Sequence, residues 1–177
     1  MRKQLLLLKK LSNLDLQFIE QQLGRKPRGV IEISARCKSG HPCVIKTKPI
    51  LADGRGPKAD KEIFPTLYYL VCRELIKEVF KLESGGLIEE IQHRVDSDKE
   101  FKARFLKAGK DYQNERSRLV EANDYSPLLM ETGIAGVRKL DKIKCLHAQL
   151  AHYLATGNNP VGEIVRARLD SFPGNCP

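Results

Sequence analysis

The chain has 177 residues, 41% hydrophobic and 30% charged, with a formal net charge of +9. That length and balance support one folded domain, residues 1–177, with a real apolar core, and exclude a disordered or low-complexity chain. The apolar run Leu5–Leu8 between Lys3 and Lys9-Lys10 is too short for a secretory signal or for the roughly 20 apolar residues of a membrane helix, so a cytoplasmic protein is expected.

In chain order, residues 1–12 form a basic N-terminal segment, and Ser12-Asn13 should cap a first helix with Leu16, Ile19 and Leu23 on one face and Gly24 at its end. The β-branched stretch Val30-Ile31-Glu32-Ile33 reads as a strand and Val44-Ile45-Lys46-Thr47 as its partner. Lys38-Ser39-Gly40-His41-Pro42 between them has turn composition, which predicts a hairpin. A polar loop from Pro49 to about Ile63 precedes a third strand over Phe64–Leu70, with Pro65 at its start, where a missing donor is tolerated. From Cys72 the chain turns helical. Leu75, Val79 and Leu82 share a face that Gly85-Gly86 should stop, and a short helix follows over Leu87–Val95. A long polar helix capped by Ser97 or Asp98 reaches past Arg118 with Phe101, Phe105 and Tyr112 inward. After a glycine-containing loop, Ser126–Gly136, a helix is expected over Lys142–Thr156 and a short one over Glu163–Leu169. Residues 171–177 read as a flexible tail. The expected class is α+β, a small antiparallel sheet covered by helices.

Five cysteines, Cys37, Cys43, Cys72, Cys145 and Cys176, are an odd number without an export signal. They read as reduced thiols available for packing, metal binding or redox chemistry. Cys37 and Cys43 bracket the hairpin turn with His41 between them, and Cys72 stands where strand gives way to helix. Cys145 and His147 form a C-x-H unit near a helix start. Positions two apart in regular helix point to nearly opposite sides, so a joint role requires Cys145 to sit outside the helix proper. His152 lies two turns further on, too far along the axis to share one metal with Cys145. Against these readings stands simple packing, because a free cysteine is among the most buried residue types. Cys176 has no expected role.

Charge is uneven: residues 1–60 hold 13 Lys/Arg against 5 Asp/Glu, whereas residues 61–100 are net acidic. Arg25, Arg28, Arg36 and Lys144 are weak anion-binding candidates. A small anionic or phosphorylated ligand is expected over a nucleic acid, since the chain lacks Trp and Tyr68-Tyr69 offers only one stacking platform. Gly133-Ile134-Ala135-Gly136 could form a backbone nest for phosphate, but no G-K-[ST] follows and a plain turn is the simpler reading.

Several strings then occur in a fixed order: Gln22-Leu23-Gly24-Arg25 with Pro27-Arg28-Gly29, Arg36-Cys37, Phe64–Leu70 with Cys72, Lys144-Cys145-Leu146-His147, and Asn159-Pro160-Val161-Gly162. Over about residues 20–163 this resembles an uncharacterised bacterial family of domains of unknown function, number five hundred and one. The resemblance carries no activity. It implies that the cysteines of Arg36-Cys37, of the aromatic strand's end and of Lys144–His147 matter, with the position of Cys43 more variable. That selects Cys37, Cys72, Cys145 and His147 as metal ligands over His41 and Cys43. The chain departs from the pattern at Arg73, where a proline is common, and in the longer Asp53-Gly54 loop. Two functions therefore compete with a plain binding module for nucleic acid or protein. One is a Cys/His metal centre holding zinc or an iron–sulfur cluster. The other is a thiol enzyme with Cys145 as nucleophile and a histidine such as His147 as base.

Overall fold

The structure, a computed structural model, describes residues 11–51, 62–64, 66–120, 129 and 131–169. Pro65, Cys176, the basic residues of the N-terminal segment and the expected tail lie outside the described residues. Helix α1 (Asn13–Leu23) begins at a capping box in which the Ser12 hydroxyl accepts from Asp15 N–H and the Asp15 carboxylate accepts from Ser12 N–H. Such a cap contributes about 1 kcal/mol. Gly24 closes the helix at φ 68°, a backbone state that costs a side-chain-bearing residue and suits glycine. The hairpin follows as β1 (Val30–Arg36) and β2 (Pro42–Thr47), antiparallel with Ile33 opposite Ile45.

The polar loop expected from Pro49 is not structureless at its described ends. Ile50–Leu51 (β3) pairs antiparallel with Glu62–Ile63 (β4). The third strand of the main sheet, β5 (Tyr68–Leu70), is shorter than the Phe64–Leu70 segment expected, and pairs antiparallel with β2 in the order β1-β2-β5. Its shortness has a visible cause: Leu67 N–H is given to the Tyr112 hydroxyl at 2.7 Å instead of to a strand. Helices α2 (Arg73–Ser84), α3 (Leu87–Ser97) and α4 (Lys99–Ser117) follow, and Asp98, not Ser97, caps α4 by accepting from Glu100 and Phe101 N–H. A single 3-10 turn (Ile134–Gly136) leads to α5 (Leu146–Thr156) and α6 (Pro160–Arg168). The α+β class holds, and no helix among the described residues is long and apolar enough to cross a membrane.

Strand alternation divides the apolar residues. Val44, Tyr68 and Leu70 face the main core with Leu75, Leu146 and Leu150, while Ile45, Val71 and the half-buried Tyr69 face Ile19 and Leu23 of α1. Helix α5 packs across the sheet and along α6. A Cβ on Gly162 would fall 2.3 Å from the Gln149 carbonyl oxygen, so only glycine permits this approach. The first helical residue expected near Lys142 is displaced to Leu146, and this shift shapes the site.

Candidate metal centre

Cys145 is the N-cap of α5, with extended backbone (φ −151°, ψ 119°), and its side chain makes no capping hydrogen bond. This is the irregular position that a shared role with His147 required. The thiol and the imidazole turn to the same side, Sγ 3.8 Å from His147 Nδ1. The N–H left without a cap, that of Leu146, donates instead to Glu83 Oε1 at 2.6 Å, and the same oxygen stands 3.2 Å from His147 Nδ1. On the far side of the ring, His147 Nε2 lies 3.0 Å from the Ile76 carbonyl oxygen. A carbonyl only accepts, so Nε2 carries a proton and Nδ1 is the atom that faces the thiol and the carboxylate.

Glu83, Cys145 and His147 thus present one oxygen, one sulfur and one nitrogen, all within 4.8 Å of one another, a group that can hold a metal ion. Burial disfavours a charge on His147. Its contacts with Cys145, the Ile76 carbonyl and Glu83 outweigh that and raise its pKa to about 9. All three residues are partly exposed, and Cys145 and His147 line a cleft of about 420 Å³ whose walls include Leu23, Tyr69, Leu70 and Ile76.

Two of the four ligands expected from the sequence, Cys145 and His147, fall in this group. Cys37 and Cys72 are buried in the main core, 6% and 1% exposed, and are not part of it. Cys43 is fully buried beside them, and His41 stacks on Phe18 with ring centroids 4.5 Å apart. His152 stands apart from the group. It is buried between Tyr68 and Tyr112, with Nδ1 accepting from Asn159 Nδ2 at 3.1 Å. Asn159 Nδ2 also donates to Gln149 Oε1, and its Oδ1 caps α6 through Gly162 N–H. Burial lowers the His152 pKa to about 4.

The anion-binding candidates separate. Arg36 forks onto Asp15 at 2.7 and 3.0 Å, and that hydrogen-bonded pair holds the Asp15 pKa down at about 2. Arg28 pairs with Glu62 at 2.8 Å, and Arg25 is exposed. Lys144 alone of the four lines the cleft that holds Cys145 and His147. The Gly133–Gly136 segment is a turn: Gly133 N–H donates to the Val137 carbonyl and Gly136 N–H to that of Gly133, so neither is directed at a phosphate.

Glu83 was not singled out from the sequence, yet a signal exists. It lies in the last turn of α2, where the helix dipole disfavours a carboxylate. The misplaced charge is satisfied by the opposite pole, the N-terminus of α5. A family profile described as a protein of unknown function (DUF501) matches residues 33–167. No curated protein and no solved structure matches the chain.

Proposed function

The chain belongs to the DUF501 family, whose function is unknown, and we propose that its working site is a three-donor metal centre at Glu83, Cys145 and His147, open to the cleft. The donor spacing carries this reading. Tetrahedral zinc with ordinary bond lengths sets its nitrogen and oxygen ligands about 3.4 Å apart and its nitrogen and sulfur ligands about 3.6 Å apart. The corresponding separations here are 3.2 and 3.8 Å. The outer contacts also suit a metal: a backbone carbonyl fixes the histidine tautomer through Nε2, and an amide N–H holds the carboxylate. One thiolate with an imidazole and a carboxylate favours zinc over an iron–sulfur cluster, which takes most of its ligands from cysteine. Three protein ligands leave a fourth position for a molecule in the cleft, the arrangement of a catalytic rather than a structural zinc. Such a metal would polarise an oxygen of the bound molecule.

Metal analysis of anaerobically purified protein tests this. About one equivalent of zinc is expected, and a folded protein that neither retains nor takes up zinc contradicts it. A second reading rests on the same 3.8 Å contact: without metal, Cys145 and His147 form a thiol–imidazole pair suited to nucleophilic attack. Inactivation by iodoacetamide that is equally fast with and without zinc would favour the pair over the metal, because a ligated thiolate is shielded.

A further inference from the structure

We propose that the cleft selects a small monoanion with an apolar body, of the aryl or acyl carboxylate class, whose anionic end meets Lys144. This deepens the metal-centre reading and rests on it. The cleft of about 420 Å³ is large enough for a small organic molecule, and Leu23, Tyr69, Leu70, Ile76 and Ala148 give it an apolar wall. Its ionisable groups Lys144, Cys145 and His147 lie within four residues of one another where α5 begins.

Counting charge sharpens the choice. A divalent metal is neutralised by the Cys145 thiolate and the Glu83 carboxylate, which leaves Lys144 as the surplus positive charge on the cleft wall. No ion pair joins Lys144 to another of the described residues, whereas Lys142 pairs with Asp96 and Lys46 with Glu115. One surplus cation beside an apolar wall matches one negative charge. A phosphate monoester, with close to two charges, would leave the second without a cation to meet it. A neutral ligand would leave the lysine unused. Among the described residues of the basic first third no cation lines this cleft, and Arg28 and Arg36 are turned to Glu62 and Asp15.

The test uses 4-phenylbutyrate, 4-phenyl-1-butanol and phenyl phosphate as probes, titrated by calorimetry into the full chain, zinc-loaded and zinc-free. The carboxylate should bind the loaded protein about 10-fold or more tighter than the alcohol, the ratio expected of a hydrogen bond to a charged group, and tighter than phenyl phosphate. Lys144→Met should abolish the preference and Lys144→Arg should keep most of it; the position is exposed, so neither variant should disturb folding. Equal affinity for carboxylate and alcohol, binding of neither, or a preference for phenyl phosphate in the loaded protein overturns the inference. A Lys144-dependent carboxylate preference in a protein that never takes up zinc supports the ligand class and overturns the metal centre instead.

Discussion

Helix α5 carries two histidines, one in its first turn and one in the middle of the helix, and their surroundings pull the two in opposite directions. At the cleft end, His147 is surrounded by acceptors: the Ile76 carbonyl on one nitrogen, the Glu83 carboxylate and the Cys145 sulfur on the other. In the middle of the helix, in the core, His152 lies between two tyrosine rings, and its contact at Nδ1 is the donor amide of Asn159. Burial works against a charge at both. The pKa values diverge, to about 9 and about 4, because the acceptors bonded to His147 offset its burial, whereas the charges of Glu115 and Asp111 do not offset that of His152. The same residue type on one helix is thus a reactive group at the helix start and a packing element in the core.

If this contrast is right, changes on the core side should cost stability and changes at the cleft should cost ligand binding. The largest loss should follow Gly162→Ala, where the new methyl meets the Gln149 backbone and α6 must move off α5. Unfolding by urea should show a decrease of roughly 3 kcal/mol or more.

His152 should next reveal itself through pH. The unfolded chain binds a proton near pH 6.5 and the folded one only near 4, so between these values the unfolded state holds more protons. Stability attributable to this residue should be complete above pH 6.5, fall as pH drops to about 4, and change no further below. The total is about 3 kcal/mol, from roughly 1.4 kcal/mol per pKa unit. Denaturation curves for the protein and His152→Gln should differ in slope across that window, and parallel curves would place His152 in a wetter setting than the structure gives it.

At the cleft end, Glu83→Gln keeps an acceptor for Leu146 N–H but removes the charge. Its stability should drop by only about 1 kcal/mol, as for loss of one favourable charged hydrogen bond, while zinc affinity falls at least 10–100-fold. The smallest effect belongs to Lys144→Met, within about 0.5 kcal/mol in the same urea assay.

The contrast between core and cleft also marks what the sequence could disclose. Local signals located the elements well. The Ser12 cap, the Gly24 stop, the Lys38–Pro42 turn and the Gly85-Gly86 break act within a few residues, so each is readable where it stands. The β3–β4 ladder escaped because it joins two short segments across a polar loop, and α5 was expected too early because nothing local forbids helix at Lys142. The site was half legible. Cys145 and His147 are neighbours in sequence, but Glu83 reaches them from the end of another helix, more than sixty residues away in the chain. Cys37 and Cys72 stand at element boundaries just as Cys145 does. Which boundary faces the core and which faces a cleft is decided by helix packing on the sheet, and pattern within the chain does not carry it.

Cobalt(II) titration of three proteins tests the central claim most directly: the unaltered chain, Cys145→Ser and Cys72→Ala. A cobalt–thiolate band in the near ultraviolet should saturate at one equivalent for the unaltered chain. It should be lost in Cys145→Ser and retained in Cys72→Ala, whose thiol is buried in the main core. Loss of the band in Cys72→Ala while the protein stays folded, or no band in the unaltered chain, would contradict a centre built from Glu83, Cys145 and His147.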